Sequence, residues 1–437
     1  MKRIKSKSII VAGVAFLMVA VLIVGCAPKG VAPPEEEEVP TLKVVAAVPL
    51  TGPHAEAGTY EMWRAYMYGM KWIDEVENGF EAGGKRYKID YSMWIDSKGE
   101  VPLTVAQYKR GLAAGMLIFW SHSSHEIGAL KELSERYGVP QLCYGSSKVF
   151  YDPPGCAFGM QESYPGQQVT TLKWFKENIW KEERAPRLGK LMWDVAIGRA
   201  VDFPEQDKYI EEKLGYEIVH REYPPYGCSD FTPYLLGMKK ANPDIIFWQG
   251  LNSGIICRDA NRLGMVPPNP YFLCGLYNGY AVKDWYASEG GYDKWYWTND
   301  RYLVDEGDGV QPGITKMCDV MEKYWGGRTN TLERGLDTAT IGYEEAIAIR
   351  DVLKFTIERK GYPITCDDIV DTIINMPPWD PGINPGTYKW GPTERIGYHM
   401  CYVGRCVGPC KYENVSGWLT TPDDYIKAMP DWYGLAE

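Results

Sequence analysis

The stretch MLIFWSHSSHEIGALKELSERYGVPQLC, residues 116–143, is where the fold can be read. MLIFW (116–120) is apolar throughout, the pattern of a strand buried on both faces of a parallel sheet. Ile127 to Tyr137 then has helical spacing, and Gly138 supplies the residue on which helices commonly end. VPQLC (139–143) returns as a second strand. Strand, helix and strand in that order predict a βαβ unit.

The same punctuation extends in both directions. Upstream, KVVAAV (43–48) and YKIDYSMWID (87–96) read as strands, and Tyr60 to Val76 places Met62, Ala65, Tyr66, Ile73 and Val76 on one helical stripe. After an irregular, loop-like stretch near 150–170 the pattern restarts. Strands are expected at 189–197, 216–223, 244–248 and 270–274, with helices at 204–214, 232–240 and 254–263 between them. Two sets of βα units predict two doubly wound α/β domains. The final third offers a long helix at about 339–360, a shorter one near 367–375, and turn-rich, strand-like segments around 386–418. That is what a chain crossing back to complete each domain would need.

Composition narrows the function classes. The 437 residues are 45% apolar and 24% charged, which excludes a disordered polyelectrolyte and a multi-span membrane protein. With 57 acids against 47 bases and a net charge of −10, a nucleic-acid partner is not expected. The 31 Tyr and 16 Trp are abundant enough to furnish an aromatic-lined cleft as well as a core.

The first residues describe an export signal. MKRIKSKS carries four positive charges, and an apolar run follows from Ile9 to Gly25. As a helix that run would be about 25 Å long at ~1.5 Å per residue, short of a hydrocarbon core of ~30 Å. Leu22-Ile23-Val24-Gly25-Cys26 resembles a bacterial lipobox, which implies that Cys26 is lipidated and becomes the mature N-terminus. Loss of the four signal charges would take the net charge from −10 to −14. The Pro- and Glu-rich Ala27 to Thr41 reads as a solvated tether.

The folded part carries Val48-Pro49-Leu50-Thr51-Gly52-Pro53, Ala57-Gly58, Gly83-Gly84 and Asp96 in its first half. In the second half it carries Asp230-Phe231-Thr232, Ala241-Asn242-Pro243-Asp244 and Arg262-Leu263-Gly264. In order and spacing over roughly residues 43–290 these pieces resemble a known family, the type I periplasmic solute-binding proteins of the branched-chain amino acid class, which feed ABC importers. The resemblance implies two Rossmann-like lobes joined by three hinge strands, with a ligand held at the carboxyl edges of both sheets. The boundaries expected are 1–25 for the signal peptide, 26–42 for the lipidated tether, 43–165 with 299–375 for lobe 1, and 166–298 with 376–437 for lobe 2.

On lobe 1 the matching positions are Trp120-Ser121-His122-Ser123-Ser124 and Tyr144-Gly145-Ser146-Ser147. The resemblance implies that Ser124, Gly145 and Ser147 grip a carboxylate and an amino group; the alternative is that Ser124 and Ser147 cap the following helices. Lobe 2 departs from the family. Gly198-Arg199-Ala200 stands where a tyrosine is expected, Gln249 or Gly250 stands for a second tyrosine, and Gly275-Leu276-Tyr277-Asn278 replaces an acid that would pair with an ammonium. A buried ammonium without a charged partner is expensive, which weakens the expectation of an α-amino acid. The edges offer instead Trp120, Tyr144, Trp248 and Tyr277, with His54 and His122. An apolar or aromatic carboxylate or amide, stacked by those rings and held by Ser124 and Ser147, is one expectation; aromatics packed under the sheet edges are the other.

Catalytic and metal motifs are weak. There is no phosphate loop or dinucleotide fingerprint, and His125-Glu126 continues as Ile-Gly-Ala, so no zinc-protease motif forms. Ser123 beside His122 and His125 is sequence proximity without triad geometry. Cys401, Cys406 and Cys410 with His399 match no common cluster spacing. In an exported chain disulfides are the better expectation, with Cys143–Cys156 one candidate pair and a second within 401–410. The expected function is an extracytoplasmic solute-binding lipoprotein of an ABC importer, without cofactor or metal and not an enzyme. Its partners would be a small solute (an amino acid or small organic acid) and permease subunits, with the lipid as its sole membrane contact. A ligand-sensing module for a signalling receptor is the alternative. The expected location is the periplasm or cell surface.

Overall fold

β1 (Thr41–Val48) shows how one strand serves two cores. Val44, Ala46 and Val48 pack in a cluster with Met62, Tyr66 and Met70, while Val45 and Ala47 pack with Tyr108 and Leu130. Successive side chains of a strand point to opposite faces, so a sheet covered on both sides demands a continuous apolar run. The computed structural model describes residues 39–52, 59–144, 147, 153–251, 253–265, 270–275, 295–302, 304–326, 337–408 and 411–429.

In chain order β1 is followed by α1 (Thr59–Glu75), β2 (Phe80–Ala82), β3 (Lys85–Asp96), α2 (Val101–Ala113), β4 (Ile118–Ser121), α3 (Ser124–Tyr137), β5 (Gln141–Cys143) and β6 (Ala157–Gly159). They make a six-stranded sheet ordered β2-β3-β1-β4-β5-β6. All neighbours are parallel except the β2–β3 hairpin, which turns on Gly83 and Gly84, both at positive φ. Glycine adopts that conformation without the strain other residues incur.

The chain then crosses through α4 (Tyr164–Asn178) to β7 (Arg187–Met192), α5 (Ala196–Arg199), α6 (Pro204–Glu212), β8 (Glu217–Glu222), α7 (Thr232–Ala241), β9 (Ile245–Gln249), α8 (Ser253–Arg262), β10 (Tyr271–Cys274) and β11 (Trp295–Asn299). After β11 it returns with α9 (Val304–Gly307), α10 (Pro312–Trp325), α11 (Asp337–Lys360) and α12 (Cys366–Asn375). A last crossing brings β12 (Met400–Gly408), β13 (Lys411–Thr420) and α13 (Asp423–Ala428). The second sheet has seven strands ordered β13-β12-β11-β10-β9-β7-β8, parallel apart from β12 and β13. It too is covered on both faces: Ile246 pairs in the core with Leu235, Met238 and Ile256, and Phe247 with Leu172, Phe175 and Ile210. The architecture is α/β, two doubly wound lobes linked by three crossings.

α11 completes lobe 1 by packing along α1. Gly342 lies directly against the Met62 carbonyl, where a Cβ would overlap the oxygen. The two helix backbones can therefore approach closely.

Several expectations need correction. The stretch near 150–170 is not irregular throughout, since it contains β6 and the start of α4, whose Ser163 accepts a hydrogen bond from Gly166 N–H as an N-cap. The strand expected at 189–197 ends at Met192, and α5 follows. Val76 falls past the end of α1 and is 41% exposed, off the buried stripe. α2, α10 and β11 were not anticipated. The expected Cys143–Cys156 disulfide is not formed, Cys401 is a thiol as well, and Cys143 donates instead to the Phe158 carbonyl. Among the described residues no helix is long and apolar enough to cross a membrane.

Candidate functional site

The carboxyl edge of the first sheet is built by loops held in place by their own hydrogen bonds. Asp96, at the end of β3, accepts from the Leu50 and Thr51 N–H groups and from the Thr51 hydroxyl, fixing the loop after β1. Burial raises its pKa, but these bonds and one from Lys98 outweigh that and hold it below the usual range. Ser121, which ends β4, and His122, Ser123 and Ser124 after it are all buried. His125 Nε2 donates to the Gly99 carbonyl (2.7 Å), so its Nδ1 is the acceptor for Ser123 Oγ at 2.8 Å. Ser123 is the N-cap of α3 yet makes no capping bond. Ser124 lies within α3 and bonds the Tyr164 hydroxyl at 3.1 Å, so it is not a cap either. His122 stacks on Tyr144 with ring centroids 5.7 Å apart, and burial alone lowers its pKa to about 4. Its Nδ1, like Ser121 Oγ, has no hydrogen-bond partner.

The second sheet presents an edge of different chemistry. Gln249, the last residue of β9, is 0% exposed, and neither its Oε1 nor its Nε2 has a partner. Its amide rests against Gly275 at the end of β10, where a Cβ would overlap Oε1. Each buried polar atom left unpaired costs about 1–3 kcal/mol, so natural proteins carry few of them. On the adjacent strand end Trp193 donates its backbone N–H to the Gln249 carbonyl, while its indole N–H is buried without a partner. The edges of the two lobes meet: α3 contacts α5, and Tyr226 packs edge-on against His125 at 5.7 Å and against Trp193 at 5.3 Å.

A family model described as periplasmic binding protein matches residues 41–405, most of the chain. The chain belongs to the periplasmic binding protein family. No curated protein sequence matches it. Among solved structures, this periplasmic binding protein is similar to a branched-chain amino acid ABC transporter protein from Thermus thermophilus with bound valine. That match has a TM-score of 0.73 and 20% identity, covering 89% of this chain and 98% of that one. A substrate-binding protein of an ABC transporter from Aeropyrum pernix gives 0.77 at 16% identity, covering 91% and 100%. An ABC transporter solute-binding protein from Rhodopseudomonas palustris BisB5, in complex with 3,4-dihydroxybenzoic acid, gives 0.67 at 17% identity, covering 89% and 99%. At these identities the likeness fixes the fold.

Of the residues expected at the site of this binding protein, Ser123, Ser124, Tyr144, Ser147 and Gln249 are buried, all but Ser147 in the edge arrangement just described. Trp120 and Trp248 instead pack within the lobes. Trp120 stacks on Tyr66 at 4.1 Å, and Trp248 meets Trp193 and Phe231 edge to face. Glu345 of α11 is fully buried, and burial raises its pKa well above the ordinary value. Gly145, Ser146, Tyr277, His54 and Cys26 lie outside the described residues.

Tyr144 has a role that its position in the sequence did not reveal. Its hydroxyl donates to Asp300 Oδ1 at 2.8 Å, and the Arg301 guanidinium sits 4.9 Å over its ring. Asp300 and Arg301 begin the crossing after β11. Arg301 donates to the Met160 carbonyl in the crossing after β6 and pairs with Glu344 of α11 at 2.9 Å, all of them buried. Glu344 also accepts from Tyr388 at 2.6 Å, in the third crossing. One ionic cluster thus ties the three crossings together. Tyr164 was also missed, although Ser163 and Pro165 around it are a helix-start signal. A groove of about 900 Å³ lies elsewhere, between α4, β13 and α13, and none of its lining residues belongs to the strand edges. Among the described residues no group of three or more His, Cys, Asp or Glu could hold a metal.

Proposed function

We propose that the chain is the solute receptor of an ABC importer, held at the membrane by lipid on Cys26, and that it closes its lobes on a small solute. Lobe 1 comprises 43–165 and 299–375, and lobe 2 comprises 166–298 and 376–437. The solute is of the carboxylate or amide class with an apolar body, gripped by Ser123, Ser124, Tyr144 and Ser147 on one lobe and Gln249 on the other. Open α/β sheets bind ligands outside the carboxyl ends of their strands, and hinge closure buries them. The observation that carries this reading is the set of buried edge atoms without partners: Ser121 Oγ, His122 Nδ1 and both amide atoms of Gln249. A bound solute would satisfy them. The ligands bound in two structural neighbours, valine and dihydroxybenzoic acid, are both small carboxylates.

Native mass spectrometry of the chain purified from its own host tests this. One small molecule per chain is expected, displaced when the protein is unfolded, and the N-terminal peptide should carry acyl mass on Cys26. A chain that retains no solute and shows no affinity across amino acids, organic acids and amides would count against the reading.

A further inference from the structure

We infer that Gln249 reads a neutral group on the solute, one that sets an N–H donor beside a C=O acceptor, in place of the ammonium of an α-amino acid. The inference rests on the solute-binding reading above and names the ligand class. Gln249 is fully buried at the carboxyl end of β9 with both ends of its amide unpaired, and the glycine at 275 leaves the room its Oε1 occupies. An ammonium offers donors alone, so it would pair Oε1 and strand Nε2. A carboxylate only accepts, so it would pair Nε2 and strand Oε1. A carboxamide, lactam or urea pairs both. A site built to hydrogen-bond a group rejects an analogue that leaves its buried atoms unpaired, which makes the difference selective. The neighbouring unpartnered group, the Trp193 indole N–H on the adjacent strand end, is a neutral donor suited to a carbonyl. On the lobe 1 edge Ser121 Oγ and His122 Nδ1 are likewise buried without partners.

Calorimetric titration of the full mature chain, stripped of bound solute by unfolding and refolding, tests the inference with two matched sets. These are valine, isovalerate and isovaleramide, and phenylalanine, hydrocinnamate and hydrocinnamide. In at least one set the amide should bind tenfold or more tighter than the amino acid. Gln249→Leu should cost the amide at least tenfold while leaving the carboxylate within about threefold. Its melting temperature should be equal or higher, because an unpaired buried amide has been removed. Gln249→Glu should shift the preference toward the amino acid. Tighter binding of the amino acid in both sets, unchanged amide affinity in Gln249→Leu, or no binding of either amide would overturn the inference. Solute retained by the native chain in mass spectrometry would meanwhile keep the binding-protein reading standing.

Discussion

His122 is a histidine kept neutral by burial, and that has a measurable cost in acid. Its pKa falls from an ordinary 6.5 to about 4 in the folded chain, so between those values the unfolded state binds more protons. Stability should therefore drop as pH falls from about 6.5 toward 4, by up to about 3 kcal/mol at ~1.4 kcal/mol per pKa unit. Chemical denaturation at several pH values should show a shallower acid slope in His122→Asn than in the parent. Equal slopes would show that His122 does not titrate as its burial demands. At the same scale, Ser124→Ala removes a hydroxyl that bonds Tyr164 at the lobe 1 edge. It should weaken solute binding about tenfold, the size of a hydrogen bond to a charged or polar group. A variant that binds as well as the parent would place Ser124 outside the solute's reach.

Elements were legible wherever periodicity was strong. β1, β4 and β9 are continuous apolar runs because both sheet faces are covered, and α11 stands out by length. What the sequence hid follows from physics. β6 and α4 were obscured because α4 is buried almost all round near its start, which erases the amphipathic stripe that marks a surface helix. Trp120 and Trp248 read as cleft residues by position, but strand alternation turns them into the helix-covered faces. The lone glycine in α11 carried no visible signal, yet Gly342 decides the closeness of α1 and α11. Gly342→Ala should destabilise the chain by about 1–3 kcal/mol, the usual cost of overpacking, against a gain in helix propensity of under ~1 kcal/mol. A melting temperature at or above the parent's would mean the two helices can part without loss.

For the whole molecule the crossings matter most, and there Arg301, Asp300, Glu344, Tyr144 and Tyr388 form one buried cluster. Removing one charge from such a cluster strands the others, so Arg301→Met should cost about 3–5 kcal/mol, and adding Glu344→Gln should recover part of it. Equilibrium unfolding of the single and double variants would decide, and a double variant less stable than the single would contradict the pairing. This cluster was illegible beforehand because its members come from four segments, around Tyr144, Arg301, Glu344 and Tyr388, that are distant in the sequence. The central claim is closure of two lobes on one solute. Small-angle X-ray scattering of the stripped chain, titrated with the low-molecular-weight fraction released from the native protein, tests it most directly. The radius of gyration should fall and saturate at one solute per chain. A radius that stays constant while the solute binds would contradict it.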